Sequence, residues 1–89
     1  MYKTEAYRIA QDELLRAQDE GFHQAELHLG HTIEKEVRCQ DGSNYEIEIS
    51  YSWYKNEETK IEITCSVTSK NWYQHQQLNE SVVLCKSKI

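Results

Sequence analysis

Over residues 25–39 the chain alternates. Ala25, Leu27, Leu29, Ile33, Val37 and Cys39 are apolar, whereas the even positions Glu26, His28, Thr32, Glu34, Glu36 and Arg38 are polar. The same parity holds for Tyr45, Ile47, Ile49, Tyr51 and Trp53, and returns at Ile61, Ile63, Cys65 and Val67. A period of two belongs to an extended chain whose side chains point alternately to the two faces of a sheet. The pattern predicts three antiparallel strands with odd residues in the core and even residues in water. Gly30 is expected to bend the long first segment or divide it into two strands. A fourth strand is expected around residues 82–86, and residues 71–79 carry no clear period.

The first twenty residues follow a different rhythm. Ala6, Ile9, Ala10, Leu14 and Ala17 share one side of a helical wheel, with Tyr2 and Tyr7 at its margins. Three alanines on that stripe let the helix axis approach whatever it covers. Thr4 is the expected N-cap, because a hydroxyl there accepts from an otherwise unpaired amide. Asp12 and Arg16 form an i,i+4 pair on the solvent side. Gly21 suits the left-handed position that closes a helix, and Phe22 would pack back on Ala17. Asp19 and Glu20 sit at the negative end of the helix dipole, at a cost of a few tenths of a kcal/mol each. The expected fold is α+β: an N-terminal helix packed on one face of a three- to four-stranded antiparallel meander, as one domain over residues 1–89.

Parity also dictates the first turn. A two-residue Asp41-Gly42 loop would pair Gln40 with Ser43 and set every odd residue against an even one, which a sheet with one buried face forbids. A three-residue loop, Gln40-Asp41-Gly42, with Gly42 in the left-handed bulge position, restores matching faces. The inner pairs are then Val37–Tyr45, Ile33–Ile49 and Leu29–Trp53. On the outer face Glu36 opposes Glu46 and Glu34 opposes Glu48. Directly opposed like charges destabilise a sheet by a few tenths to about 1 kcal/mol per pair, so this strip is the least expected feature of the chain. Glu62 is expected close by, and Ser50, Ser52, Thr64, Ser66 and Thr68 extend the strip as a flat polar surface. A flat surface suits a protein partner better than a small molecule, which prefers a concavity. Lys35 and His31 interrupt the apolar side, and an inward charge of this kind places the first strand at the sheet edge. The simplest account of Lys35 is a stem on the core margin with its amine in water.

Composition narrows the partners. The 89 residues include 15 acidic and 10 basic side chains, for a formal charge of −5. That balance weighs against nucleic acid and anionic membrane surfaces, because both need clustered Lys and Arg. No apolar run is long enough to span a bilayer, and no secretion signal is evident. Three cysteines without a close pair point to reduced thiols, with core filling as their leading role. The expected location is cytoplasmic.

Chemistry is sparse. His23, His28 and His31 fall within nine residues, so with nearby glutamates they form a candidate metal or acid–base site. Strand parity, however, sends His28 to the glutamate face and His31 to the helix side. No paired-cysteine or HExxH spacing supports zinc, no phosphate loop or nucleophile elbow is present, and no cofactor is implied. Tyr51 and Trp53 are expected beneath the helix; Tyr54, with one of Trp72 and Tyr73, is expected at the surface as an interface aromatic. The sequence thus leads to a small cytosolic protein–protein interaction module, regulatory or inhibitory and not an enzyme. It would present Glu34, Glu36, Glu46, Glu48, Glu62 and Tyr54 to a basic partner, and be a monomer or an edge-paired homodimer. The competing expectation is a metal-dependent or acid–base enzyme built on the three histidines. A third reading is that the acidic strip serves solubility alone.

Overall fold

The two longest alternating runs become the central strands. In the computed structural model, which describes residues 2–39, 42–69 and 77–86, these are β2 (Asn44–Tyr54) and β3 (Glu57–Ser69). β1 (Thr32–Arg38) and β4 (Gln77–Cys85) flank them in the order β1-β2-β3-β4, each neighbour antiparallel. One face of this open sheet is covered by α1 (Tyr2–Glu20), which lies over β3 and β4. Trp72, Tyr73 and His75 lie outside the described residues.

The core follows the two periods. Ala6, Ile9, Ala10, Leu14 and Ala17 of α1 meet Tyr45, Ile47, Ile49 and Tyr51 of β2 and Ile61, Ile63, Cys65 and Val67 of β3, and all are buried. Burying each Ile, Val or Leu contributes about 1.5–3 kcal/mol relative to leaving it exposed. On β4 the parity reverses, because Ile61, Ile63 and Val67 pair with Leu84, Val82 and Leu78. Cys85, which sequence parity left ambiguous, is therefore on the outer side and exposed. None of Cys39, Cys65 and Cys85 is in a disulfide.

The β1–β2 register is the one parity requires: Val37↔Tyr45, Ile33↔Ile49, Glu36↔Glu46 and Glu34↔Glu48. Around the turn, the Cys39 amide donates to the Ser43 carbonyl at 2.8 Å and the Gly42 amide to the Cys39 carbonyl at 3.0 Å. Gly42 has φ 91°, a conformation an L side chain adopts only under strain. The β2–β3 turn solves the same parity problem differently. Lys55 and Asn56 both have positive φ, 52° and 61°, as a two-residue primed turn requires. Such a turn sets Tyr54 against Glu57 and would misalign the faces. The bulge beyond it brings Trp53 against Ile61 and returns odd to odd.

Several expectations fail near the helix ends. Residues 25–29 are not strand: α2 (Phe22–Leu27) follows α1, and a hydrogen-bonded turn leads through Gly30 into β1. Phe22, Ala25 and Leu29 are spaced i, i+3, i+7 and face the core together, whereas Leu27 is 71% exposed. The short apolar run satisfied both periods, and the helical one prevails. Leu29 consequently has no ladder partner; the contact there is the Gly30 amide donating to the Tyr51 carbonyl at 3.2 Å. Trp53 is half-buried, its ring 6.3 Å from Phe22. Thr4 lies within the first turn of α1 and not before it. Asp12 pairs with Arg8 instead of Arg16. The fourth strand begins at Gln77, earlier than the expected residue 82, and ends at Cys85.

Both edge strands carry a charged residue on the inner side, Lys35 on β1 and Glu80 opposite Cys65 on β4. Inward charge obstructs pairing with another sheet edge.

Candidate functional site

The outer face is built from even residues of β1, β2 and β3 and odd residues of β4, and no helix of the described residues covers it. Glu34, Glu36, Glu46 and Glu48 are all exposed there. Their closeness follows from the turn. The Cys39 amide donates to the Ser43 carbonyl across the ladder, so alternation makes 38/44, 36/46 and 34/48 non-hydrogen-bonded pairs. Those pairs have Cα atoms about 4.5 Å apart, about 1 Å closer than hydrogen-bonded ones. The two glutamate pairs occupy the closer class, in rows roughly 6.7 Å apart along the strands. Glu36 and Glu46 each take part in further polar or electrostatic interactions.

Away from the glutamates the same rows become neutral. The Ser66 hydroxyl donates to Asn79 Oδ1 at 2.6 Å, and Gln77 Nε2 donates to Thr68 Oγ1 at 3.4 Å. Arg38 Nε donates to Asn44 Oδ1 at 3.4 Å in the row beyond Glu36 and Glu46. Two expected members of the face stand apart. Glu62 pairs with Ser52 and Val83, four residues along the ladder from the Glu48 row, which is roughly 14 Å away at strand spacings. Tyr54 is half-buried at the far end of β2, with Lys55 Nζ 5.3 Å from its ring centroid. The glutamate strip is therefore a tetrad.

The histidines do not converge. His23 is 92% exposed on α2 with Nδ1 3.4 Å from Glu26. Because α2 and the turn that follows it replace a strand over these residues, His28 lies on the inner side against Tyr51, ring centroids 4.9 Å apart, and not on the glutamate face. His31 precedes β1 and is exposed instead of facing the helix. Among the described residues, no three His, Cys, Asp or Glu side chains are grouped so as to hold a metal ion.

The inner side contains a charged cluster that sequence reading missed. Glu13 lies on the buried stripe of α1, its side chain 8% exposed. One carboxylate oxygen receives Lys35 Nζ at 2.7 Å and the other Arg16 Nη1 at 3.3 Å. Lys35 thus reaches a buried carboxylate, where the sequence suggested an amine in water. Its only sequence signal was the polar interruption of two apolar stripes. Burial pushes the Cys65 thiol up to about 11, with the Glu13 charge adding and Lys35 opposing. A thiol so held is protonated at neutral pH and suited to packing. Burial, then the Glu20 and Glu13 charges, also raises the Tyr51 phenol. Near the first turn, the Cys39 thiol donates to Glu5 Oε1 at 3.1 Å, which also accepts from Arg8 at 2.8 Å.

No family model matches the chain, and neither a curated protein nor a solved structure shows significant similarity to it. No helix of the described residues is long and apolar enough to cross a membrane.

Proposed function

We propose that this protein is a small cytosolic interaction module, regulatory or inhibitory, that binds a basic protein partner through Glu34, Glu36, Glu46 and Glu48. The observation that carries this reading is the register: two like-charge pairs at the closer class of cross-strand position, on an open sheet face. Such pairs lower stability, so their presence asks for a compensating use. A basic partner supplies one by neutralising both rows at once. Complementary potential accelerates encounter and disfavours wrong partners. The neighbouring hydroxyls and amides of β3 and β4 provide an adaptable margin that hydrogen-bonds directly or through water.

The test is affinity capture from native lysate with the wild type and with a Glu34→Gln, Glu36→Gln, Glu46→Gln, Glu48→Gln variant, at low and high salt. The reading expects a discrete protein retained by the wild type, released by salt and absent with the variant. Equal recovery by both baits removes the acidic face from the function.

A further inference from the structure

Because α1 lies over β3 and β4, the inner side of β1 is only partly covered, and Ile33 and Val37 are half-buried. A cleft of about 150 Å³ opens between α1 and the β1–β2 pair. Its polarity is graded along its length. One end holds Glu13 with Lys35 and Arg16, three charges that sum to +1. The floor is Ile33, Ile49 and Ala17. The far end is Tyr51 with His28 beside it and Glu20 at the rim.

A buried ion pair is weak evidence for stability, because well-packed apolar residues of similar volume are often as good or better. Here the cluster places a net positive charge at one end of an apolar slot. We infer that this cleft binds a small organic monocarboxylate with a compact apolar body. Its carboxylate is received by Lys35 and Arg16, which share it with Glu13, and its body rests on Ile33, Ile49 and Ala17. Glu20 sets the direction, since it repels the carboxylate from the Tyr51 end. Size agrees: a cavity of about 150 Å³ lined by aliphatic and aromatic side chains holds a benzene ring. The site is on the opposite side of the sheet from the glutamate tetrad and stands independently of the role proposed for that face.

The probe is benzoate, titrated to millimolar concentration and followed by NMR through the methyl signals of Ala17, Ile33 and Ile49 and the ring of Tyr51. The outer-face methyls of Thr64 and Thr68 serve as controls. Saturable shifts confined to the cleft are expected, with benzylamine producing none. Arg16→Gln leaves the Glu13–Lys35 pair in place and keeps the protein folded; it should weaken benzoate binding several-fold, and Lys35→Gln more. The outer-face glutamine variant should bind benzoate like the wild type. The inference is overturned by absent or unsaturable shifts, by equal response to benzylamine, or by affinity unchanged in Arg16→Gln.

Discussion

Removing one carboxylate from the glutamate strip should stabilise the protein. Glu34 and Glu48 are the pair to test, since Glu36 and Glu46 have further interactions. Carboxylates on a non-hydrogen-bonded cross-strand pair lie about 6 Å apart in exposed rotamers, and in water two unit charges at that distance repel by about 0.7 kcal/mol. That agrees with the range of about 0.2–1 kcal/mol for cross-strand pairs. Glu34→Gln should therefore gain about 0.5 kcal/mol. Glu34→Lys, which replaces repulsion by attraction, should gain about 1 kcal/mol, or roughly 4–8 °C in Tm for a domain of this size. The assay is urea unfolding at low salt and at 1 M salt, where the Debye length falls to about 3 Å and the gain should largely disappear. A cycle with Glu48→Gln isolates the pair term. Additive single effects, a gain that persists in high salt, or a loss of stability in Glu34→Gln would refute the reasoning.

Three further outcomes follow from the structure. Gly42→Ala should cost about 1–2 kcal/mol in denaturant unfolding, because φ 91° is strained for an L residue although the added methyl meets open space. The raised Cys65 thiol makes a stability contribution that is complete below its ordinary value near 9 and is lost as pH climbs toward about 11. The loss amounts to about 2–3 kcal/mol at 1.4 kcal/mol per unit. Cys65→Val should flatten the alkaline unfolding profile measured by circular dichroism, leaving the slope from Tyr51, which is raised in the same direction. Lys35→Met should cost about 1–2 kcal/mol by leaving Glu13 with Arg16 alone, less than for a fully buried pair because Lys35 is 39% exposed; adding Glu13→Leu should recover most of it.

How much of this was legible depends on whether a pattern had one solution. The β1–β2 register was, because odd residues must meet odd ones, and a three-residue loop ending at Gly42 achieves that without a further register shift in the strands. Its consequence, the outward glutamate pairs, was legible with it. The α2 segment was not: Ala25, Leu27 and Leu29 alternate, yet Phe22, Ala25 and Leu29 also form a helical face, and packing against Trp53 and the core decides between them. That choice moved His28 across the sheet and dissolved the histidine cluster. Glu13 was hidden for a different reason. A glutamate within an apolar stripe is unremarkable in sequence until a lysine from a distant strand is found 2.7 Å away. Lys35 was noticed, but its partner belongs to tertiary structure alone.

Glu34, Glu36, Glu46 and Glu48 meet in two cross-strand pairs on the sheet face opposite α1, and every role proposed for them depends on that. Hα–Hα nuclear Overhauser contacts measure this directly, because they are strong only between non-hydrogen-bonded antiparallel pairs. Strong contacts are predicted for Glu36–Glu46 and Glu34–Glu48, with none for Lys35–Ile47. A shift of one residue, such as Glu36 meeting Tyr45 or Ile47, would turn the carboxylates to opposite faces and contradict the account.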